Sequence, residues 1–514
     1  MDQAEEVKSK IDIVSLINDY LPLKKSGRNY QALCPFHDEK TPSFMVSPEL
    51  QIYKCFGCFP PGSLIKTSKG LRPIEAIKRG DAVYSHRGRI RKVLLTFERP
   101  YSGSLTSIKL RKLGGRVTLT DDHKVFVLRG APYLHKKFKN LSRRIRHDKK
   151  NYDRETFLNK FEKYFSIKKI KAGDLAKNDY LLYPVVEKVR DVSLLPLKHY
   201  INKKHPPHGT KPRKIDYNIP VNDTFLKLLG YYIAEGSSNR AYIRFSLGLH
   251  ENEFSEDIKG IISDLFKLKV GVHKRKRKSG SGLEITCCHS LLADAFSNMC
   301  GTGASNKHIP YILNFLPCKK QKILLKAIQR GDGHQFRSSR GGKLFNAINT
   351  TSPTLKDQIK DILLRLGYFP TVTIKKPRVD ENGVNHQKAY VVKWSDEAES
   401  RYKLSIRTRD NSLFWVLPIY DLKKETYEGK VFNLNVEKDH SYVSENFAVG
   451  NCGAGGDAIS FLEEYEKIEF WEALEILAKR AGVKLEKKGF GKGEEKKKRL
   501  YEINHLAAEF YHFI

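Results

Sequence analysis

The sequence predicts a multidomain α+β protein. A small metal-binding ribbon near the N-terminus is followed by a long basic stretch that carries a duplicated α/β module. Three observations predict this: two spaced Cys/His pairs near the N-terminus, a charge excess confined to the middle, and an acid–glycine motif that occurs twice with matching elements after it. The 514 residues are too many for one ordinary domain. A hydrophobic share of 40% excludes a wholly disordered chain. No apolar run approaches the ~18 residues of a membrane span, and the acidic start MDQAEEVKSK lacks a signal-peptide layout. A soluble, cytoplasmic protein with no membrane partner is expected.

The ribbon comes first. Residues 34–58 read CPFHDEKTPSFMVSPELQIYKCFGC, with Cys34 and His37 as a C-x2-H pair and Cys55 and Cys58 as a C-x2-C pair. Each pair lets two ligands from one tight turn reach one ion, and two turns complete a tetrahedral zinc site. Phe44 and Val46 alternate between the turns, as expected for short strands. Eight Cys in 514 residues do not make a disulfide scaffold. Cys287, Cys288, Cys300 and Cys318 lack paired metal spacing and are expected to fill the core.

These residues resemble the N-terminal zinc-binding domain of bacterial DNA primases of the DnaG type, a CHC2-type zinc ribbon. The match stops after Cys58, where FPPGSLIKTSKG takes over. It resumes at CGAGGDAISFLE (452–463) and FWEALEILAKRAGVKLE (470–486). Joining Gly57 to Cys452 restores KCFGCGAGGDAISF without a gap. The resemblance implies Zn2+ held by Cys34, His37, Cys55 and Cys58, with Cys452 replacing Cys58 once the passenger is gone. It also implies a single-stranded DNA template, met by Lys25, Arg28, Tyr53, Lys54 and Phe56. The full-length relative makes RNA primers in DNA replication and partners a replicative helicase. Its nucleotidyltransferase site would lie beyond residue 514, so these residues alone are not expected to make primers.

The charge sets the insertion apart. Residues 1–57 carry 7 basic and 8 acidic side chains and residues 452–514 carry 11 and 12. Of the chain's 93 and 58, that leaves 75 basic and 38 acidic residues in 58–451. A positive field of that size attracts polyphosphate and speeds encounter with nucleic acid.

The 394 inserted residues begin with Cys58 and end with Asn451, and Cys452 follows. A Cys at the first position can turn its preceding amide into a thioester, and a Cys just past the last can take over the acyl group. A terminal Asn can cyclise through its side-chain nitrogen and release the branch. The pattern resembles an intein, whose splicing domain is the all-β Hint fold. CFPPGSLIKTSKGLRPIEAIKRGDAVYS (58–85) is similar to the family's opening block, and VTLTDDHKVFV (117–127) supplies Thr-x-x-His as Thr120 and His123. IKKIKAGDLAKNDYLLYP (167–184) resembles a third block, and GKVFNLNVEKDHSYVSENFAVGNC (429–452) the closing ones, with His440. The resemblance implies that Thr120 and His123 polarise the first scissile peptide. It also exposes two departures. The usual His before the terminal Asn is Gly450, so either His440 takes its role or C-terminal cleavage is slow. Asn433 stands where many relatives carry an acid.

Two stretches, LLGYYIAEG (228–236) and LKAIQRGDG (325–333), each place an acid before Gly at the end of an apolar run: Glu235 and Asp332. A strand, a helix and a basic hairpin or arm follow both, and Ile258 lies 23 residues past Glu235 while Ile359 lies 27 past Asp332. Such a repeat implies a pseudo-two-fold saddle over duplex DNA. The motifs resemble the LAGLIDADG helices of homing endonucleases, which implies that Glu235 and Asp332 hold Mg2+ and cut double-stranded DNA. Lys274 to Lys278, Lys375, Lys376 and Arg378 would lie along phosphates. HKKFKNLSRRIRHDKK (135–150) is read as a helical insertion.

The domains expected are therefore a primase part (1–57), a splicing part (58–190), a linker (191–220), an endonuclease (221–405), a splicing part (406–451), a primase part (452–486), and a linker leading toward the polymerase domain (487–514). The function expected is a primase precursor whose intein excises itself and carries a homing endonuclease. The alternative is a zinc-dependent DNA-binding module interrupted by an inert relic. Zinc on Cys58 would hold back its attack on Gly57.

Overall fold

The computed structural model describes residues 3–35, 42, 44–55, 57–129, 166–177, 179–203, 213–277, 280–338, 342–379, 381, 383, 385–395, 404–408, 410–450 and 455–485. The chain divides into two compact units: Met1–Phe56 with Cys452–Ile514, and Gly57–Asn451.

The first unit is built from both ends of the sequence. Its sheet has the order Lys24–Ser26, Asn29–Ala32, Phe44–Ser47, Ile52–Cys55, Gly455–Gly456, so the last strand comes from the far side of the insertion. Gly455 pairs with Lys54 and Gly456 with Tyr53. The helix Ala458–Glu466 begins at Asp457, whose side chain accepts from the Ser460 amide. It lays Ile459, Phe461 and Leu462 on Phe44, Val46 and Tyr53. The helix Phe470–Ala481 opens with a reciprocal Glu469/Glu472 capping box and stops at Gly482 with φ +66°. Its Leu474 and Leu477 join Val7, Ile13, Leu16 and Ile17 of the N-terminal helices in the same core.

Two expectations are corrected here. The strand Phe44–Ser47 is buried along its whole length, because the unit covers both faces of the sheet and hides the alternation. Tyr53 does not face a template. It is 0% exposed, stacks on Phe44 at 5.2 Å, and donates its hydroxyl to Glu464 at 2.8 Å.

The second unit joins two architectures. Two long strands, Ile90–Leu110 and Leu413–Val436, pair antiparallel and anchor a twelve-stranded sheet. Short strands near the ends of the insertion, Leu64–Thr67 and the hairpin Ser441–Val443/Ala448–Gly450, belong to it. The strand Leu404–Arg407 pairs with Leu413–Val416, so the expected boundary at 405/406 falls inside a strand of this sheet.

Elsewhere in the unit the helix Asp223–Glu235 is followed by a sheet ordered Gly236–Ser238, Tyr242–Gly248, Gly280–Cys288, Gly271–Arg277, with the helix Asn252–Phe266 in the crossover. The helix Cys318–Asp332 is followed by Gly333–Arg337, Leu344–Thr350, Ala389–Trp394, Thr371–Lys375, with Pro353–Arg365 in the crossover. Both sheets share one strand order. Asn222 caps the first helix through the Phe225 amide, and Ser352, followed by Pro353, caps the last through Leu355.

The expected linker 191–220 is more than a linker. Leu194–Pro196 pairs with Asn218–Pro220, and Leu195 and Leu197 are fully buried. Cys287 and Cys300 fill the core as expected, whereas Cys288 and Cys318 are exposed. The stretch 135–150 lies outside the described residues. No described helix is long and apolar enough to cross a membrane.

Candidate functional sites

The first peptide of the insertion is held from several sides. Cys58, 1% exposed, donates its amide to Thr120 Oγ1 at 2.7 Å, and its carbonyl accepts from the Thr120 amide at 2.9 Å. Thr120 ends the strand Val117–Thr120, which pairs with the long strand at Leu105, so register fixes its hydroxyl. The Gly57 carbonyl, on the other side of the peptide, accepts from Asn433 Nδ2 at 2.6 Å. Asn433 Oδ1 in turn accepts from the Tyr442 hydroxyl at 2.6 Å and the Leu434 amide at 2.6 Å.

His123 closes the site. It is 0% exposed and meets the Phe59 ring edge-on at 4.7 Å. Burial pushes its imidazole down to about 3, opposed only by the Cys58 backbone, so the ring is neutral at physiological pH. Neither ring nitrogen reaches hydrogen-bond geometry with a described residue. A Cβ on Gly57 would fall 2.2 Å from His123 Cα and 2.5 Å from its amide nitrogen, so Gly is required at that position.

At the other end, Gly450 pairs with Ser441. His440, exposed and in a left-handed turn at φ +43°, therefore precedes the residue opposite Gly450. Asn451 and Cys452 lie outside the described residues.

The two acids end their helices. Glu235 and Asp332 are the last residues of Asp223–Glu235 and Cys318–Asp332, and each precedes an extended Gly. The helices touch through small residues: a Cβ on Gly230 would lie 2.4 Å from Ala327 Cβ, and one on Gly331 2.6 Å from Ala234 Cβ. That contact brings both carboxylates into one cavity of about 380 Å³, also lined by Lys307, Asn349 and Thr351. Burial and the neighbouring Glu235 raise Asp332 to about 7, against the pull of Lys307. Burial, then Glu251, raises Glu235. A larger cavity of about 770 Å³, lined by Arg87, Arg91 and Asp410 among others, holds neither acid.

The cavity's chemistry suits a hard divalent ion, since Asn349 Oδ1 and Thr351 Oγ1 are buried oxygens without a hydrogen-bond partner among the described residues. Lys307 escaped the sequence reading, because a lone Lys in a loop carries no motif. Its ammonium sits 3.6 Å above the Tyr232 ring and donates to the Tyr232 carbonyl at 2.9 Å. Burial lowers it to about 8, with Cys300 and Asp332 opposing. Tyr442 was missed likewise. Of the basic residues named, Lys274, Arg275, Lys375, Lys376 and Arg378 are exposed, and Arg275 pairs with Glu284 at 2.8 Å.

In the first unit Ala32, Phe44 and Cys55 stand in line across three strands. Cys34, 6% exposed and two residues past Ala32, thus leaves the sheet at the end where Cys55 lies. A thiolate-bearing sheet end of this kind suits zinc. His37, Cys452 and the Cys55 side chain lie outside the described residues. Among the described residues no three His, Cys, Asp or Glu side chains are grouped to hold a metal.

Residues 1–84 and 430–492 match the DnaG zinc-ribbon family, described as a CHC2 zinc finger. The DNA primase of Listeria monocytogenes is 51% identical over 78 residues, 15% of this chain and 12% of that protein. An uncharacterized protein of Methanocaldococcus jannaschii is 29% identical over 77% of this chain and 50% of its own length. The ATP-dependent DNA helicase Hel308 of Thermococcus kodakarensis is 28% identical over 77% of this chain and 36% of its own. The chain thus spans half or less of the length of these curated relatives. Among solved structures, the zinc-binding and RNA polymerase domains of the Aquifex aeolicus primase align at 53% identity and TM-score 0.11, covering 11% of this chain and 14% of that one. Variants of the homing endonuclease I-DmoI align at 16% identity and TM-score 0.25, covering 34% and 90%.

Proposed function

We propose that residues 58–451 are an intein with a Hint splicing domain, that it excises itself from a primase zinc ribbon, and that it carries a pseudo-two-fold homing endonuclease. One observation carries the reading: the Gly57–Cys58 peptide is gripped at its carbonyl by Asn433 and at its nitrogen by Thr120, beside a neutral, buried His123.

The grip suits an acyl shift. Cys58 Sγ attacks the Gly57 carbonyl carbon, the Gly57–Cys58 C–N bond breaks, and the thiol proton ends on the Cys58 amine. A neutral His123 can relay that proton, and Thr120 Oγ1 holds the leaving nitrogen in line. Cys452 Sγ then takes the acyl group and returns a proton to Cys58. The Asn451 side-chain nitrogen attacks its own carbonyl and breaks the bond to Cys452, and His440, next to the Ser441 that pairs with Gly450, is the candidate to assist. The freed Cys452 amine finally displaces its thiol to give the Gly57–Cys452 amide. The relatives support a mobile passenger: proteins with unlike names match over 77% of the chain, and residues 58–451 are 394 of 514.

For the endonuclease, a divalent ion such as Mg2+ would polarise a phosphodiester and activate water. Glu235 and Asp332 would hold it, Asn349 and Thr351 would order its water, and Lys307 could meet the departing oxygen. The matching sheets would lay exposed Lys274, Arg275 and Lys375 along double-stranded DNA. In the ribbon, Zn2+ would be held by Cys34, His37, Cys55 and a fourth thiolate. Single-stranded template, a replicative helicase and a cytoplasmic setting follow from the primase reading of the ends.

The test is the mass of the expressed product. The reading expects smaller species, including one with a peptide spanning Gly57–Cys452, and full-length 59.1 kDa protein for Cys58→Ala with Asn451→Ala. Parent and variant persisting alike at full length would favour an inert passenger. A plasmid bearing the uninterrupted junction, incubated with Mg2+, tests the nuclease, and Glu235→Gln should abolish its cutting.

A further inference from the structure

We infer that the Asn433 carboxamide is the oxyanion donor of the acyl shift at Gly57–Cys58, and that Tyr442 is the positioning residue that aims it. The inference rests on the splicing reading above and names a catalytic group within it.

As the Cys58 thiol adds to the Gly57 carbonyl carbon, negative charge develops on the carbonyl oxygen. Asn433 Nδ2 already lies 2.6 Å from that oxygen. The amide's orientation follows from its other end, where Oδ1 accepts from the Tyr442 hydroxyl and the Leu434 amide, both at 2.6 Å. A flipped amide would set oxygen against the Gly57 oxygen and Nδ2 against the Leu434 N–H, losing both of those bonds, and only the Tyr442 hydroxyl could turn to accept instead.

The donor is also preorganised and dry. Asn433 is 1% exposed and Tyr442 0%. Asn433 sits within the long strand Leu413–Val436, paired with Phe97, so its backbone cannot drift as a loop would. The Tyr442 ring lies 6.0 Å from Phe59 and 6.2 Å from His123, which wedges its hydroxyl toward the amide. A fixed donor in a water-excluded site is worth more to a developing charge than one in water. An aspartate at 433 would present an acceptor to the same oxygen unless it were protonated, whereas an amide donates at any pH.

The experiment follows thioester formation in the full chain carrying Asn451→Ala, by dithiothreitol-induced cleavage between Gly57 and Cys58 on a gel. Asn433→Ala should slow this cleavage about 10²–10³-fold, the usual effect of losing one oxyanion donor. Tyr442→Phe, which keeps the ring, should slow it up to about tenfold. Asn433→Asp gives a signature that loss of packing would not. Its rate relative to the parent should climb as pH falls from 8 to 5, because a protonated carboxyl regains the donor. Thermal melts of all variants report folding, and the Asp ratio carries the result if the Ala variant unfolds. An Asn433→Ala protein that melts like the parent and cleaves within twofold of it would overturn the inference, as would a pH-independent Asp ratio. A parent no faster than Cys58→Ala would sink the splicing reading, and this inference with it.

Discussion

At Gly57 the backbone of one residue excludes a side chain on another. Any L-residue there would drive its Cβ to 2.2 Å from His123 Cα, and His123 is held by its amide bond to the Thr120 carbonyl at 3.0 Å. Gly57→Ala should therefore slow thiol-induced cleavage about 100-fold, the scale of a ~1 Å misplacement, and lower the melting temperature as overpacking does. An Ala variant that cleaves at the parent's rate would mean that the peptide does not lie against His123. The buried histidines also make a pH prediction. Burial, helped by Arg87, lowers His86 to about 4, and burial lowers His123 to about 3, both from 6.5. The unfolded chain therefore binds these protons first, and the two histidines lower stability as pH drops from about 6.5 toward 4, while Asp332, raised to about 7, contributes the opposite slope over the same window. His86→Gln should flatten the melting temperature over that window; an unchanged slope would assign the acid sensitivity elsewhere.

Among the elements, the crossing of Asp223–Glu235 with Cys318–Asp332 brings the two acids into one cavity. A methyl on Gly230 would meet Ala327 Cβ at 2.4 Å and the Leu324 carbonyl at 3.0 Å. Gly230→Ala should cost about 1–3 kcal/mol as overpacking and part the two acids. Mg2+-dependent plasmid cutting should drop while self-cleavage continues; undiminished cutting would reject this contact as the hinge of the site. These helices were legible in the sequence because an acid followed by Gly after an apolar run marks a helix end, and the repeat doubled the signal. Thr120 and His123 are singled out by their resemblance to a Thr-x-x-His block, and both lie against the Gly57–Cys58 peptide. Composition misled elsewhere: the stretch after Leu194 reads as a linker, yet its start, Leu194–Pro196, pairs with Asn218–Pro220 through contacts no local pattern encodes. Tyr53 looked like a surface aromatic because a strand's period cannot reveal that a helix from beyond the insertion covers it. The partners of Asn433 depend on register across strands hundreds of residues apart, and Lys307 on a loop's path.

Across the inserted unit, the elements that follow the two acid-ended helices and the large sheet share a buried charge network rather than a hinge. Lys66, 4% exposed on Leu64–Thr67, donates to the Tyr183 hydroxyl at 2.7 Å, to Asp357 at 2.8 Å and to Asp361. Asp357 and Asp361 lie on Pro353–Arg365, whose Lys360 donates to the Glu445 carbonyl at 2.8 Å, beside the C-terminal hairpin. A parallel bridge joins Leu113 to Val372 as well. Burial alone would raise Asp357, but Lys360, Lys66 and Lys356 hold it well below the usual carboxylate range. An intact network of this kind adds little over an apolar contact, because desolvating the ions offsets their attraction; removing one partner is what costs, about 3–5 kcal/mol. Lys66→Met should therefore lower the unfolding free energy of the full-length Cys58→Ala/Asn451→Ala protein by that amount, read as a lower urea midpoint. If the proposed activities hold, it should depress self-cleavage and DNA cutting together, since its partners sit on Pro353–Arg365 and its strand in the large sheet. Adding Asp361→Asn should recover part of the loss, because that carboxylate would no longer be buried without its cation. A Lys66→Met protein with the parent's midpoint would mean that the two architectures do not depend on this network.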